Sequence, residues 1–208
     1  MERSAIVLAG GFSSRFRQDR GILELNHKPL IKYVADAVKE VVEETVVVTS
    51  SQERADEYKK IVGPEVKFAV DLKPTMGPVV GALTGFKIVQ GKYSLLLPVD
   101  TPFVFRKVLE LLFELCHNRS AVIPRWPNQQ IEPLHAVYVT QKALEAAEAA
   151  VGEGRLDVSD MVEHMRGVRY VSTLVIQEFD PELRSFFNVN TPLDLKKAET
   201  MLKSPRKK

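Results

Sequence analysis

The segment GGFSSRFRQDR combines residue types that can bind phosphate groups. Gly10 and Gly11 follow the apolar run Ala5–Leu8, and glycine lets the backbone approach a ligand because it has no Cβ. Two serines come next, and then three arginines, Arg15, Arg17 and Arg20. Backbone N–H groups in such a turn and guanidinium groups both bind phosphate oxygens. This clustering favours a phosphate-binding loop over a plain turn with solvated arginines.

The spacing of the two glycines does not fit either of two common nucleotide-binding loops. The Gly-x-Gly-x-x-Gly loop of dinucleotide oxidoreductases needs a third glycine that is missing here, and the chain has no Gly-x-x-x-x-Gly-Lys-[Ser/Thr] loop. The sequence therefore argues against an ordinary dinucleotide oxidoreductase and against a P-loop NTPase.

Two aspartates, Asp71 and Asp100, each directly follow an apolar segment that is predicted to be a strand. A carboxylate fixed at the end of the buried segment Tyr93–Val99 suits a hard cation such as Mg²⁺, which takes one or two carboxylates plus substrate phosphates. Asp100 also precedes a predicted helix, so it is a candidate N-cap, and the two roles are compatible. Four roles remain open for Asp71: contact with a ribose, with a base or with a metal-bound water, or an ordinary loop role.

Other polar residues have less specific patterns. Asn188 and Asn190 alternate in FFNVNTP, so both side chains can point one way from an extended segment, with turn chemistry as the alternative. The four histidines, His135 among them, lack metal-ligand spacing and are interpreted as surface or packing residues. Trp126 is either a loop anchor or a stacking surface. Cys116 lies in an apolar helical pattern and is interpreted as a core thiol.

The order of elements predicts an α/β fold, a single-domain, Rossmann-like three-layer sandwich with a mostly parallel sheet. The predicted strands are Ala5–Leu8, Thr45–Thr49, Val66–Val70, Tyr93–Val99, Ser120–Pro124, Leu134–Val139 and Val168–Ile176. The predicted helices begin near Pro29, Gln52, Pro78, Phe105, Gln141, Val158 and Leu193. Because ligands collect at the carboxyl ends of strands in such sheets, Gly10, Asp71 and Asp100 are expected at one edge.

Two glycines of the predicted third helix, Gly81 and Gly85, lie one helical turn apart and leave one helix face without side chains. Two interpretations are open, close approach of a ligand and close packing on the sheet.

The composition is that of a globular chain with one good core. The chain has 208 residues, is 45% hydrophobic and carries a net charge of +2, too small to imply a nucleic-acid partner. Residues 1–203 are expected to form one domain, and residues 204–208 a flexible basic tail. No apolar run is long enough for a membrane span, and the N-terminus lacks the pattern of a signal peptide, so a cytoplasmic location is expected.

Five segments together resemble the molybdenum cofactor guanylyltransferases, a family of glycosyltransferase-A-like nucleotidyltransferases. LAGGFSSRFRQDR is similar to the signature LAGGxSxRMGxDK, and MGPVVGAL to GPLAGI. PVDTPF is similar to CDTPF or CDMPF, EPLHAVY to QPLHALY, and FFNVNTPLDL to FFNINTPEDL. The first and third segments are shared by the wider superfamily, and the second and last are more specific. The resemblance runs from Leu8 to Leu195, in the family's order.

The resemblance implies GTP and molybdopterin as substrates, Mg²⁺ as cofactor, and a role for each matching residue. Leu8, Ala9, Gly10 and Gly11 would lie against the nucleotide, with its phosphates at the two glycines. Arg15 and Arg20 would act on phosphate charge, Asp100 would bind Mg²⁺, and Gly77 and Pro78 would line the guanine pocket with Asp71 nearby. Asn188 and Asn190 would lie on the molybdopterin side. Molybdoenzyme apo-proteins and other cofactor-biosynthesis proteins would be further partners.

Two residues depart from the family pattern. Arg20 replaces the family's lysine, which keeps the charge but changes a point ammonium into a planar fork. Arg17 replaces a glycine and adds a charge.

The alternative functions to guanylyl transfer are those of a molybdopterin cytidylyltransferase, a sugar-phosphate nucleotidyltransferase, or a non-catalytic adaptor that delivers cofactor to apo-enzymes. Cytidylyl relatives usually read LAAG and lack GPLAG, whereas this chain reads LAGG and MGPVVG.

Overall fold

A computed structural model describes residues 1–9, 12–13, 18–71 and 77–204. Within these ranges, seven strands form a central sheet: β1 (Arg3–Leu8), β2 (Glu44–Thr49), β3 (Lys67–Val70), β4 (Tyr93–Pro98), β5 (Ala121–Arg125), β6 (Ala136–Val139) and β7 (Val168–Ser172). Their spatial order is 3-2-1-4-6-5-7. Neighbouring strands are parallel except where β6 runs antiparallel to β4 and β5. The predicted mostly parallel sheet is confirmed.

Helices cover both faces of this sheet. In the described ranges they are α1 (Leu30–Val38), α2 (Gln52–Val62), α3 (Pro78–Ile88), α4 (Arg106–Leu115), α5 (Thr140–Gly152), α6 (Val158–Glu163), α7 (Thr173–Ile176) and α8 (Pro192–Lys203). The core on one face contains residues of α1, α2 and α4, and the core on the other contains residues of α3, α5 and α6. The three-layer sandwich is therefore confirmed. In the described part of the chain, no helix combines the length and apolarity needed to cross a bilayer.

Strand β1 shows why the sequence forms this sheet. Ala5, Ile6 and Val7 are all fully buried, with Ala5 and Val7 in one core and Ile6 in the other. A strand buried on both faces needs apolar residues at every position, which is why this run lacks polar alternation. β1 pairs with β2 on one side and β4 on the other, so it lies in the interior of the sheet.

The strand order creates a cleft beside β1. From β1 the chain moves outward to β2 and β3, and then crosses back to β4 on the other side of β1. The loops that follow β1 and β4 therefore diverge, which is the topological switch point where α/β sheets bind ligands. The antiparallel β6 begins at this same edge, so residues that precede it also reach the cleft.

Several boundaries differ from the predicted ones by one or two residues or more, and local contacts explain three of them. The last strand was predicted to continue to Ile176, but it ends at Ser172, whose hydroxyl accepts a hydrogen bond from the Leu174 N–H at 3.2 Å and caps α7. The strand predicted from Leu134 begins at Ala136, because the His135 N–H donates to the Glu132 carbonyl in a turn. The first helix begins one residue after Pro29, which is its extended N-cap.

A short ribbon follows the first loop. Glu24–Leu25 pairs with Lys28–Pro29, and the two residues between them, Asn26 and His27, have φ values of 50° and 61°. Two consecutive residues with positive φ are typical of a tight hairpin turn. A second ribbon pairs the backbones of Phe12–Ser13 and Gln18–Asp19.

Asp19 anchors the chain just before Arg20. Its buried Oδ1 accepts hydrogen bonds from the Tyr58 hydroxyl and, at 2.7 Å, from the Gly21 N–H, while Arg54 Nη1 lies 2.9 Å from Oδ2. Burial and the adjacent Asp19 carboxylate raise the pKa of Tyr58, so its hydroxyl stays protonated and remains a donor. Helix α2 thereby fixes the end of the segment that carries Arg20.

The two glycines of α3 have different surroundings. A Cβ added to Gly85 would lie 2.4 Å from Ile6 Cγ2, so at Gly85 the close-packing interpretation is confirmed. A Cβ added to Gly81 would lie 3.5 Å from Leu8 Cδ2 and 3.6 Å from Asp71 Oδ2, which is ordinary contact. Gly81 also lines the cleft.

Alanine substitutions at these two glycines should have opposite effects on the free energy of unfolding. Gly85→Ala should lower it by about 1–3 kcal/mol, because the new methyl group overpacks against Ile6. The matched control Gly81→Ala should leave it unchanged or raise it by up to about 1 kcal/mol, because alanine favours a helix more than glycine does. Urea unfolding of both variants tests this. Equal stabilities would contradict the close packing of α3 on β1.

Candidate functional site

The cleft at the carboxyl edge of the sheet has a volume of about 490 Å³, in the range of small-ligand sites. Many of the residues that the sequence singled out line it: Leu8, Arg20, Asp71, Gly77, Pro78, Asp100, Asn188 and Asn190. These residues come from parts of the chain that are as far apart as Leu8 and Asn190. The expectation that Asp71 and Asp100 lie at one edge of the sheet is confirmed.

An ion pair between Arg20 and Asp100 lies in this cleft. Arg20 Nη1 donates a hydrogen bond to Asp100 Oδ2 at 2.6 Å and another to Asn190 Oδ1 at 3.2 Å. The Asp100 side chain is 7% exposed, and the Arg20 side chain is 31% exposed. A charge-assisted bond of this length at a half-buried site is stronger than a surface ion pair. It brings together two residues that are 80 positions apart in the chain.

Backbone hydrogen bonds hold Asp100 in position. The Val99 N–H donates to the Leu8 carbonyl at 3.1 Å, which extends the pairing of β4 with β1 by one residue. The Asp100 carbonyl accepts a hydrogen bond from the Val189 N–H at 2.9 Å. Asp100 therefore joins the end of β4 to the asparagine segment, residues 188–190.

The asparagine segment leads into α8. Thr191 caps the helix, since its Oγ1 accepts a hydrogen bond from the Asp194 N–H, and Pro192 is the first helical residue. Asn188 and Asn190 both line the cleft, in agreement with the alternation predicted from the sequence. The Asn190 amide is bound to Arg20, whereas the buried Oδ1 of Asn188 has no hydrogen-bond partner among the described residues.

Gly77 and Pro78 line the cleft where α3 begins. Gly77 precedes the helix with φ at 118°, and a Cβ there would lie 2.6 Å from the Leu156 carbonyl oxygen. Pro78 is the first helical residue, and the Val79 N–H donates to the same carbonyl. Only glycine fits the position before the helix, because of its positive φ and its close approach to Leu156.

Some of the predicted nucleotide-binding residues do not line the described cleft. Ala9 is buried, and its N–H donates to the Val48 carbonyl at 2.8 Å. Gly10, Gly11 and Arg15 lie outside the described residues, as does Arg17, so the phosphate-binding loop stays a prediction.

The structure adds two cleft residues that sequence reasoning missed, Glu132 and His135. Both precede the antiparallel strand β6, so the expectation that ligand-binding residues follow the carboxyl ends of strands does not find them.

Trp126 had two interpretations, and the structure supports the loop anchor, because its Nε1–H donates to Glu132 Oε1 at 2.6 Å. Burial raises the pKa of Glu132, but the nearby His135 ring and the Trp126 N–H outweigh it and lower that pKa below its ordinary value.

Comparisons with known proteins agree with this geometry. The family model of the MobA-like NTP transferase domain matches residues 5–166. A probable molybdenum cofactor guanylyltransferase from Methanosarcina mazei is 35% identical over 198 residues, covering 93% of this chain and 88% of that protein. A molybdenum cofactor guanylyltransferase from Desulfosudis oleivorans is 30% identical, covering 98% of this chain and 97% of that protein.

Solved structures show the same fold. Molybdopterin-guanine dinucleotide biosynthesis protein A from Archaeoglobus fulgidus is 29% identical with a TM-score of 0.82, covering 96% of this chain and 98% of that chain. A 4-diphosphocytidyl-2C-methyl-D-erythritol synthase from Anaerococcus prevotii has a TM-score of 0.75 but is only 15% identical, covering 98% of this chain and 96% of that one, and it supports the fold alone. By sequence match over nearly its whole length and by fold, the chain belongs to the family of molybdenum cofactor guanylyltransferases, whose domain is the MobA-like NTP transferase domain.

Proposed function

We propose that the protein transfers GMP from GTP to the terminal phosphate of molybdopterin, forming the guanine dinucleotide and releasing pyrophosphate. Family membership makes it a nucleotidyltransferase enzyme. The observation that carries the proposal is the convergence of Arg20, Asp100 and Asn190 in one cleft of suitable size. The proposal includes residues 1–203 as one nucleotidyltransferase domain.

The nucleotide lies, in this proposal, on the side of the cleft formed by β1, β3 and the start of α3. Guanine presents N–H donors and an O6 acceptor, and the main chain around Gly77 and Pro78 can match that edge without long side chains. Asp71 lies within reach of the α3 wall, since its Oδ2 borders Gly81. Leu8 and Ala9 lead into Gly10 and Gly11, which we assign with Arg15 to the phosphates.

Asp100 is the residue that would hold Mg²⁺. The described residues contain no group of three or more histidine, cysteine or acidic side chains that could hold a metal ion. A single buried carboxylate facing an open cleft fits Mg²⁺ nonetheless, because this ion takes one or two carboxylates and completes its shell with water and substrate phosphates. When bound, the ion would screen the repulsion between the two phosphate groups and orient them.

Arg20 is then the charge that faces the reacting phosphates. Its guanidinium is held by Asp100 and Asn190, and the backbone next to it is held by the hydrogen bond from the Gly21 N–H to Asp19. In-line attack of the molybdopterin phosphate on the α-phosphorus develops negative charge on the leaving pyrophosphate. A fixed guanidinium stabilises that charge without reorganisation.

This reaction needs no protein nucleophile. Cys116 is fully buried, and burial raises its pKa to about 11, so it is not a reactive thiol. The core-thiol interpretation from the sequence is confirmed. The acceptor phosphate is itself the nucleophile, and the chain's residues position it and neutralise charge.

The alternative functions make different demands on this cleft. A cytidylyltransferase or a sugar-phosphate enzyme would share the phosphate side and differ at the base or the acceptor. A pure delivery adaptor would not need a fixed arginine against a buried carboxylate. Handover of the product to molybdoenzyme apo-proteins is compatible with catalysis, and we propose it as a later step.

Substitution of Arg20 should separate the role of charge from that of hydrogen-bond geometry. Arg20→Ala should lower kcat/KM by about 10²–10³-fold, the usual effect of removing one charge-stabilising donor. Arg20→Lys should lose much less, because it restores the charge and the family's own residue. Steady-state pyrophosphate release measures both, with exposed Arg106→Ala as the control for loss of an arginine. Full activity of Arg20→Ala would show that Arg20 takes no part in catalysis.

A competition between nucleotides tests the proposed function itself. With molybdopterin and equal GTP and CTP, the guanine dinucleotide should exceed the cytosine dinucleotide by about 10²-fold or more. The reason is that a site that hydrogen-bonds its substrate leaves its own groups unpaired with the wrong one. Mass spectrometry of the products decides the matter. A cytosine dinucleotide as main product would refute guanylyl transfer and leave nucleotidyl transfer standing.

A further inference from the structure

The cleft contains buried polar atoms that the described part of the protein leaves unpaired. These atoms are Oδ1 of Asn188 and the two ring nitrogens of His135. His135 is only 4% exposed, and both residues line the cleft. Buried polar groups in folded proteins are nearly always paired, so unpaired ones that face a cavity point to a ligand.

His135 is held firmly although its nitrogens are unpaired. Its ring packs edge-on against Phe186, with centroids 5.4 Å apart, and its N–H donates to the Glu132 carbonyl. Nδ1 lies 3.7 Å from Glu132 Oε2, which is too long for a hydrogen bond. Trp126 fixes the Glu132 carboxylate, so its position relative to the ring is set in advance.

The order of strands puts His135 on the far side of Asp100 from the proposed nucleotide site. Asp71 follows β3, and the glycine loop follows β1, whereas Asp100 follows β4 and His135 precedes β6. With strands about 4.8 Å apart, β3 lies roughly 14 Å from β4, and β6 lies one strand beyond β4. A substrate that contacts His135 therefore approaches Asp100 from the side opposite to GTP.

We infer that His135 binds the acceptor, with its Nε2–H donating to the phosphate of molybdopterin while Glu132 faces Nδ1. A ring N–H that donates to a phosphate oxygen makes a charge-assisted hydrogen bond, which is stronger than one between neutral groups. Asn188 Oδ1 is then left to accept a hydrogen bond from an N–H of the acceptor. This inference rests on the proposed function, and it adds an acceptor contact that lies outside the nucleotide site.

Histidine NMR tests the contact without relying on turnover. In protein labelled with ¹⁵N-histidine, molybdopterin alone should shift the ring signals of His135, which are assigned by their loss in His135→Gln. GTP with Mg²⁺ should leave them in place. Shifts with GTP and none with molybdopterin would overturn the acceptor-side assignment, and so would no shift with either ligand.

Kinetics of the same variants supply a second readout. His135→Ala should raise the KM for molybdopterin about tenfold or more and leave the KM for GTP within about twofold, whereas His135→Gln, which retains an N–H donor, should lose less. Exposed His117→Ala is the matched control. An unchanged acceptor KM in His135→Ala would overturn the inference. Failure of the proposed function would instead appear in the wild-type enzyme, as no dinucleotide product, so the two failures are distinguishable.

Discussion

The hydrogen-bonded ion pair between Arg20 and Asp100 is the interaction on which the site depends. It joins the segment after β1 to the end of β4, and through Asn190 it reaches the segment before α8. A carboxylate that is 7% exposed would be costly without a partner, and the guanidinium provides one. The same carboxylate faces the cleft, so the pair is both a structural link between three segments and the charged centre at which phosphates are expected to meet.

The rest of the fold positions these two side chains. The sheet is buried on both faces, which fixes β1 and β4 as neighbours and places their ends together. Tight packing of Gly85 against Ile6 holds α3 close to β1, and the hydrogen bonds of Asp19 tie the residue before Arg20 to α2. The antiparallel β6 brings a further pair of polar residues to the same edge. Nucleotide and acceptor can therefore lie on opposite sides of Asp100.

Much of this could be predicted from local patterns, and the remainder depends on pairing between distant segments. The apolar run at Ala5–Leu8 and the position of Asp100 after an apolar segment were sufficient to predict the strand and its edge. The partner of Arg20 could not be predicted, because it lies 80 residues away. His135 was interpreted as a packing or surface histidine, because its place in the cleft depends on the antiparallel direction of β6. The predicted end of β7 was wrong. β-branched residues continue beyond Ser172 and suggested a longer strand, but the Ser172 hydroxyl caps a helical turn there.

Metal binding at Asp100 is tested most directly by Mn²⁺ in place of Mg²⁺. Crystals of the protein with Mn²⁺ and a non-hydrolysable GTP analogue should give an anomalous peak beside the Asp100 carboxylate, in contact with the nucleotide phosphates. Paramagnetic resonance titration in solution should show that Asp100→Asn weakens Mn²⁺ binding about tenfold or more in the presence of the analogue. An anomalous peak away from Asp100, or an unchanged Mn²⁺ affinity in Asp100→Asn, would contradict the assignment of this carboxylate as the centre of the site.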